Sequence, residues 1–431
     1  MAPEKIIIDT DPGVDDILAL LLALSASAEE IELLLISLTF GNIDVENCLR
    51  NTVSLFHILD KELEWRKQTG RPLGYGSLRQ YKPIVAVGAE RPLEDQVLMA
   101  DYFHGLDGLG GIHTTAPHFT PTELWRHLFH SPSADSAPIP ADSPTALPHE
   151  NLFTASSSPA YLEILEQLKR HPPHTVTIIA VGPLTNLALA AAHDPETFLL
   201  AKEVVIMSGT VDLEGNVTPT AEFNAYADAV AAARVFALTS REPKSTIPPG
   251  ASLKAYPDVL SRQLNLTAFP LDITTMHLLN EAEFEALTGP LREEGSPLAQ
   301  WAHVFIHATF RKMESLYAVE GDAAKRVQDV DISLHDPLCV WYVLTRAVSG
   351  WKAVEGRDIR VDAVGQWTRG MFVVDRRTRR RPTEEEVADG QEVEGDCDGW
   401  LHPRLGNRVR QMVESPDRDA FGRAMIKQIF E

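Results

Sequence analysis

Short apolar runs alternate with amphipathic segments through the first half of the chain. The apolar runs are rich in Ile, Val and Leu and show little polar alternation, which is typical of strands buried on both faces. We predict strands at residues 5–9, 31–39, 83–87, 175–181 and 203–208. Apolar residues at helical spacing predict helices at residues 16–25, 46–59, 159–170, 185–192 and 227–237. This alternation predicts an α/β fold with a mostly parallel central sheet flanked by helices.

The second half of the chain is more helical. We predict helices at residues 281–287, 298–318 and 336–346, followed by a strand pair around residues 366–375. Two stretches interrupt the earlier rhythm: residues 61–81 are polar with scattered glycines, and residues 115–159 are rich in Pro, Ser and Ala. Both compositions predict loop insertions. Because no repeat or clean linker divides the chain, we predict one domain over residues 1–431.

Four aspartates crowd the junction between the first predicted strand and its helix. Asp9, Asp11, Asp15 and Asp16 lie within DTDPGVDD, where Pro12-Gly13 predicts a turn. Open α/β sheets bind ligands at this end of their strands. Carboxylates at close range raise each other's pKa, and a hard divalent cation would offset that repulsion. The alternative is that these residues only cap the helix and solvate the turn.

Other polar residues follow other predicted strands. Asn42 comes after the second strand, and Val181 precedes Gly182 at the end of a later one. Gly182 permits close backbone approach, and a free carbonyl at a strand end can bind a cation. The alternative is an ordinary turn at each place. Residues 104–111 form a glycine-rich loop that does not follow a strand, so we expect it to close over a substrate rather than bind phosphate.

Amide and carboxylate groups recur after the strand at residues 203–208. Asn216, Glu222 and Asn224 offer the acceptors and donors that a sugar diol requires. Lys and Arg are missing from the strand-end segments, which argues against phosphate binding. Further on, Asp336 precedes an apolar helix, where it could simply cap that helix, and its neighbour His335 could be an ordinary surface histidine.

Composition narrows the choice of partner. The formal net charge of −22 argues against nucleic acid and anionic membranes. The three cysteines are far apart and predict neither a disulfide framework nor a metal site of cysteines. The N-terminal residues enter a strand at once, and no apolar run is long enough to span a bilayer. We therefore expect a cytoplasmic protein.

Taken together, these segments resemble the inosine–uridine preferring nucleoside hydrolases, the calcium-dependent N-ribohydrolases. The family's opening D-x-D-P-G-x-D-D motif is matched by residues 9–16. Its later segments are matched in order by Gly41-Asn42, residues 182–186, residues 215–224 and His335-Asp336. The resemblance covers roughly residues 5–375 and implies the Rossmann-like nucleoside hydrolase fold. Compared with the shorter bacterial members, residues 61–81, residues 115–159 and a C-terminal extension after 375 have no counterpart.

By position, the resemblance implies a Ca²⁺ site and a ribose site. The implied Ca²⁺ ligands are Asp11, Asp16, Asp336 and the backbone carbonyl of Val181. The implied ribose-binding residues are Asp15, Asn42, Asn216, Glu222 and Asn224, with Met207 under the sugar. The activity implied is hydrolysis of the N-glycosidic bond of purine or pyrimidine ribonucleosides to free base and ribose, a salvage reaction. The family resemblance also implies an oligomer, either a homodimer or a homotetramer.

The implied chemistry assigns roles to two residues. Asp11 would act as general base on a water that the cation makes more acidic. His335 is the candidate acid for the leaving base, because an ordinary histidine pKa of ~6.5 suits proton transfer near neutrality. His104, from the glycine-rich loop, is a second candidate at the substrate.

Two other functions use the same residues. In a haloacid-dehalogenase-type phosphatase, Asp9 would be the nucleophile and Asp11 the acid, but the sequence has no phosphate-binding Lys at a strand end. A non-catalytic calcium- or nucleoside-binding protein could also use this fold.

Overall fold

The computed structural model describes residues 2–94, 96–129, 152–248, 253–317, 331–388 and 391–431. Its strands are β1 (Glu4–Thr10), β2 (Ile31–Leu38), β3 (Ile84–Val87), β4 (Thr154–Ser156), β5 (Val176–Ala180), β6 (Glu203–Met207), β7 (Leu266–Phe269), β8 (Leu278–Leu279), β9 (Ile332–Ser333), β10 (Lys352–Arg357), β11 (Ile359–Val361), β12 (Phe372–Val374) and β13 (Val409–Glu414).

The α-helices of these ranges are α1 (Val14–Ser25), α2 (Val45–Thr69), α3 (Gly76–Gln80), α4 (Asp101–His104), α5 (Ile112–Thr115), α6 (Ala160–Arg170), α7 (Thr185–His193), α8 (Pro195–Phe198), α9 (Phe223–Ala227), α10 (Ala229–Ala237), α11 (Leu271–Thr274), α12 (Glu281–Glu293), α13 (Pro297–Tyr317), α14 (His335–Thr345) and α15 (Phe421–Phe430). Within the described ranges, no helix is both long and apolar enough to cross a bilayer.

A mostly parallel sheet forms the centre of the molecule. Its strand order is β10-β13-β7-β6-β5-β1-β2-β3-β4, and every pairing is parallel except β10 with β13 at one edge. Successive strands run outward from β1 through β2, β3 and β4, and the chain then returns to place β5 on the other side of β1. The direction of strand addition therefore reverses beside β1, the position at which such sheets bind ligands.

Helices cover both faces of the sheet. Ile6 and Ile8 are fully buried in one apolar layer, which includes residues of α1, α2, α13, α14 and α15. Ile7, between them, is buried in the opposite layer with residues of α6, α7 and α10. Alternate side chains of one strand thus enter different layers, which explains the uninterrupted apolar sequence of β1. The predicted fold class is confirmed.

The predicted loop at residues 61–81 is wrong. Helix α2 continues through Thr69, and α3 follows at Gly76–Gln80. The polar composition misled the prediction because the inner face of α2 includes a buried ion pair, in which Arg66 Nε donates to Glu62 Oε1 over 2.8 Å. Arg66 Nη2 also donates to the backbone carbonyls of Ile429 and Phe430, at 3.3 and 2.9 Å. Arg66 therefore joins α2 to the last turn of α15.

Other differences concern short or peripheral elements. The predicted loop at residues 115–159 contains β4 and two 3₁₀ turns, and its residues 130–151 lie outside the described ranges. The strand pair expected around residues 366–375 is formed instead by β11 and β12, so only its second strand was placed correctly. Strands β7, β10 and β13 and helix α15 were not predicted. How the chain divides into domains and insertions stays a prediction.

Candidate active site

The acidic segment DTDPGVDD lies where β1 ends and α1 begins. Strand β1 ends at Thr10, and α1 begins at Val14 with Gly13 as its N-cap residue. Because β2 and β5 flank β1, the residues that follow these strands lie around the same point. The predicted proximity of Asn42 to the aspartates is confirmed, since the Asn42 backbone N–H donates to Asp11 Oδ2 over 2.7 Å.

Asp16 organises the turn between β1 and α1. Its Oδ2 accepts from the Gly13 N–H at 3.0 Å, and its Oδ1 accepts from the Thr10 hydroxyl at 2.6 Å. The Asn42 side-chain amide donates to the same Oδ2 over 2.8 Å. The capping role that we considered as an alternative is therefore real for Asp16, and it accompanies proximity to the other carboxylates rather than replacing it.

Asp11 is fully buried, and its two oxygens differ in their surroundings. Oδ2 accepts the Asn42 bond, whereas Oδ1 has no hydrogen-bond partner among the described residues. A Cβ on Gly41 would lie 2.0 Å from Oδ2, and one on Gly182 would lie 2.4 Å from Oδ1. Only glycine at these positions lets two strand ends approach the carboxylate this closely. A buried carboxylate oxygen without a partner indicates that a cation or a proton belongs there.

Asp15, Asp16 and Asp336 bring one carboxylate oxygen each within 4.8 Å of the others. Burial, and then repulsion from Asp15, Asp16 and Asp11, raises the pKa of Asp336 well above its usual range. Burial and the Asp16 carboxylate raise the pKa of Asp15 to about 7. A divalent cation would lower these pKa values by compensating the charge, and carboxylates are suitable donors for a hard ion. The residues present therefore fit a metal ion.

Asp9 has a supporting role and does not belong to this cluster. The Asn186 side-chain amide donates to both Asp9 oxygens at 3.2 and 3.1 Å, and the Ser37 hydroxyl donates to Oδ2 at 3.3 Å. Asp9 is only 1% exposed, and burial raises its pKa to about 8. A side chain enclosed in this way is a poor nucleophile, which argues against the phosphatase alternative.

Asn216, Glu222 and Asn224, three of the predicted ribose-binding residues, lie on the other side of the site from Asp15 and Asn42. Glu222 caps α9: its Oε1 accepts from the Asn224 N–H at 2.7 Å and its Oε2 from the Gly209 N–H at 2.7 Å. The Asn224 amide donates to the carbonyl oxygens of Val181 at 2.7 Å and Met207 at 3.2 Å. Asn216 Oδ1 accepts from the Phe223 N–H at 2.9 Å. These bonds fix the orientation of each side chain, and the Val181 oxygen retains a second lone pair for a cation.

Both candidate histidines line the site, but the expectation of an ordinary histidine pKa is wrong. Burial, with a contribution from His277, lowers the pKa of His335 to about 4. Burial, with a contribution from His335, lowers that of His104 to about 3. His104 Nδ1 accepts the Val14 N–H at 3.3 Å, while His335 Nδ1 contacts the Thr274 hydroxyl at 2.7 Å. Both rings are therefore neutral at pH 7. Each can donate a hydrogen bond from its N–H, but neither is an imidazolium that could transfer a proton.

A cavity of about 690 Å³ opens above these groups. The predicted residues that line it are Asp15, Asn42, His104, Val181, Met207, Asn216, Glu222, Asn224, His335 and Asp336. Sequence reasoning missed the wall formed by Thr309, Met313 and Leu316. These residues are four and three positions apart on α13, so the sequence shows that they share one face of the helix. Such a face usually packs against the protein core, and nothing in the sequence indicated a cavity. Tyr102, on the four-residue helix α4, and Leu213, in an irregular segment, were also missed, and both are exposed at the cavity.

Comparison with known proteins decides the family. A family model described as "Inosine-uridine preferring nucleoside hydrolase" matches residues 6–396. The chain belongs to this family. The predicted resemblance is thereby confirmed, and membership supports a nucleoside hydrolase that cleaves the N-glycosidic bond of ribonucleosides.

Relatives of this nucleoside hydrolase have different named preferences. The pyrimidine-specific ribonucleoside hydrolase RihA of Salmonella paratyphi C is 29% identical over 370 residues, which are 86% of this chain and 88% of the relative. Uridine nucleosidase 1 of Arabidopsis thaliana is 32% identical over 234 residues, or 54% of this chain and 53% of the relative. The structure of a purine-preferring ribonucleoside hydrolase from Gardnerella vaginalis aligns with a TM-score of 0.61 and 20% identity, covering 99% and 98% of the two chains. That structural similarity shows the fold.

Proposed function

We propose that this nucleoside hydrolase uses Ca²⁺ and Asp11 to hydrolyse ribonucleosides to free base and ribose. The observation that supports the proposal most strongly is the buried Asp11 carboxylate, whose Oδ1 lacks a partner beside the cluster of Asp15, Asp16 and Asp336. Asp11, Asp16, Asp336 and the Val181 carbonyl would hold the ion. Ca²⁺ fits this donor set, because it prefers ~6–8 oxygen ligands and tolerates irregular geometry.

The reaction requires a proton acceptor near the attacked carbon. When bound, the ion makes water more acidic and offers positions for sugar hydroxyls. Asp11 Oδ1 accepts the water's proton, and the Asn42 N–H bond to Oδ2 holds the carboxylate in place. Gly41 and Gly182 leave the space in which Asp11 lies. Asp11 thus acts as the general base.

The ribose is held between the carboxylates and the residues on the other side of the site. Asp15 and the side-chain carbonyl oxygen of Asn42 accept hydrogen bonds from sugar hydroxyls. Glu222, Asn216 and Asn224 contact the ribose from its other side. Positive charge develops on the sugar ring as the N-glycosidic bond breaks, and the surrounding carboxylates stabilise it. Met207, which is 3% exposed at the cavity, lies under the ring and excludes water.

Departure of the base depends on hydrogen bonding rather than on an imidazolium. His335 and His104 are neutral, so an imidazole N–H donates to the leaving base as negative charge develops there. Tyr102, Met313 and Leu316 provide an apolar mouth suited to a heterocycle. Both purine and pyrimidine ribonucleosides are candidates. The cytoplasmic location, the salvage role and the homodimer or homotetramer stay predictions.

The test is ribose release from a panel of purine and pyrimidine ribonucleosides, with Ca²⁺ and with a chelator. We expect cleavage of at least one nucleoside, loss of activity in the chelator, and recovery on addition of Ca²⁺. Tight ribose binding without release of base from any nucleoside would instead support a binding protein. Unchanged turnover in the chelator would refute the metal site.

A further inference from the structure

A second cluster of potential metal ligands lies outside the cavity, on the hairpin of α12 and α13. The two helices are joined by a short turn at residues 294–296, between Glu293 and Pro297. Glu281 and Glu285 are four residues apart on α12, and His303 and His307 are four residues apart on α13. Residues at this spacing share a face of a helix. The two acidic side chains therefore face the two histidines across the hairpin.

The contacts between these side chains are close. His307 Nε2 lies 2.6 Å from Glu285 Oε1, and His307 Nδ1 lies 2.8 Å from Glu281 Oε1. His303 Nδ1 lies 3.0 Å from the same Glu285 oxygen. The imidazole rings of His303 and His307 are 4.1 Å apart between centroids. Glu285, His303 and His307 each bring one ligand atom within 4.8 Å of the others.

A single carboxylate oxygen is surrounded here by a guanidinium group and two imidazole rings. Glu285 Oε1 faces two imidazole nitrogens and also Arg292 Nη1 at 2.9 Å. The ion pair with Arg292 holds Glu285 as a carboxylate, so an anionic oxygen is available as a ligand. In the metal-free arrangement, the Arg292 guanidinium contacts both Glu285 Oε1 and His303 Nδ1 and supplies the cationic partner that an ion would otherwise supply.

We propose that Glu285, His303 and His307 form a Zn²⁺ site, with Glu281 orienting the His307 ring. Two imidazoles and one carboxylate are a common donor set for zinc, and the neutral nitrogens disfavour Ca²⁺. A carboxylate that accepts from the second nitrogen of a metal-bound histidine fixes its tautomer, and Glu281 is placed to do this. The partial exposure of all three ligands leaves a fourth position for water.

Small side-chain movements would admit the ion. Ligand atoms at ~2.0–2.1 Å from zinc in a tetrahedron are about 3.4 Å apart, somewhat more than the present 2.6 and 3.0 Å. The side chains of Glu285, His303 and His307 are 29%, 35% and 19% exposed, so they can separate without moving the helices. Arg292 must leave both Glu285 Oε1 and His303 Nδ1, and its own side chain is 28% exposed. A bound ion would join α12 to α13, the helix whose later residues line the cavity.

The test is a Zn²⁺ titration of the full chain after removal of bound metals, in excess Ca²⁺ so that the carboxylate cluster is occupied. Calorimetry gives the stoichiometry and affinity, and the visible spectrum of the Co²⁺-loaded protein reports nitrogen ligands and geometry. His303→Gln and His307→Gln remove one ligand each. His118→Gln, at an exposed histidine outside the cluster, is the matched control. Because the readout is binding rather than hydrolysis, the result does not depend on the function proposed for the cavity.

We expect one Zn²⁺ site in the wild type and the control, weakened at least tenfold in His303→Gln and in His307→Gln. Arg292→Gln should bind Zn²⁺ more tightly than the wild type, because the competing guanidinium is gone. Circular dichroism confirms that each variant is folded. Equal Zn²⁺ affinity in wild type and both histidine variants, or the absence of Zn²⁺ binding, would overturn the proposal and leave an ion-pair network only. An unchanged or weaker affinity in Arg292→Gln would refute the placement of the ion beside Glu285.

Discussion

Replacing Asp11 by Asn tests the assignment of the general base with little disturbance of the fold. The Asn side-chain carbonyl can still accept the Asn42 N–H that Oδ2 now accepts at 2.7 Å. The change then falls on Oδ1, which has no protein partner and becomes an amide that cannot take a proton. Loss of general-base catalysis costs ~10²–10⁴ in rate. This range corresponds to about 3–5 kcal/mol in the activation barrier.

The same variant should lose activity but should not lose stability in the absence of metal. Burial, followed by the charges of Asp16 and Asp15, raises the pKa of Asp11 well above its usual range, while the Asn42 bond lowers it. The ionised carboxylate is thus unfavourable in the metal-free folded protein, and a neutral amide relieves the repulsion. We expect the thermal midpoint of Asp11→Asn in chelator at pH 8 to equal or exceed that of the wild type.

The assay is kcat for ribose release at saturating Ca²⁺ and nucleoside, together with a thermal melt of each protein. Asp419→Asn is the control, because it removes one charge from a side chain that is 88% exposed. Wild-type kcat in Asp11→Asn would refute Asp11 as the base. A large fall in the thermal midpoint would show that lost activity reflects misfolding, contrary to the hydrogen bonding described above.

Three further predictions address the metal, the glycines and the helix contacts. Burial raises the pKa of Asp15 from 3.8 to about 7 and that of Asp9 from 3.8 to about 8. Between pH 4 and pH 8 the folded metal-free protein therefore binds more protons than the unfolded chain. Its thermal midpoint should fall as the pH rises through this range. Thermal melts across this pH range in chelator and in Ca²⁺ test the prediction. The thermal midpoint should fall more in chelator than in Ca²⁺, and the reverse result would contradict the carboxylate site. Gly182→Ala should lower kcat at least tenfold by placing a Cβ 2.4 Å from Asp11 Oδ1, whereas Gly289→Ala, whose Cβ would meet its nearest neighbour at 3.6 Å, should retain wild-type kcat. Arg66→Met should lower the free energy of unfolding by about 3–5 kcal/mol, because it leaves the Glu62 carboxylate buried without its ion-pair partner. Denaturant unfolding measures this difference, with Lys67→Met at an exposed position as the control.

The central sheet and the acidic segment could be predicted from sequence because their signals are local. Runs such as Ile6-Ile7-Ile8 have no polar residue, so burial on both faces follows directly. Asp11 and Asp16 lie in one short segment, but Asp336 could be added to them only through the family resemblance, because nothing local in the sequence relates it to residues so far away. The short strand β7, the edge strand β10 and its neighbour β13 were missed because a short or partly polar strand does not differ clearly from a loop in sequence.

Environment-dependent properties were the least predictable. A histidine such as His335 has an ordinary pKa until its surroundings are known, and those include His277 and the Thr274 hydroxyl from distant segments. The helical nature of residues 61–69 was hidden because Arg66 and Glu62 are buried as a pair, against the usual exposure of charged residues. For His335 the decisive partners are far away in sequence, whereas for Arg66 the partner is four residues away and what the sequence does not show is the burial of the pair.

Helix α1, which begins within the acidic segment, packs against α14 and α15. Because synthesis runs in the N-terminal to C-terminal direction, the aspartates are made before Asp336 and α15, which follow hundreds of residues later in the chain. During synthesis, the acidic segment is therefore present before the helices that cover α1 and before the Asp336 carboxylate. Assembly of the site therefore follows synthesis of α14 and α15, long after β1, β2 and β3 have been made.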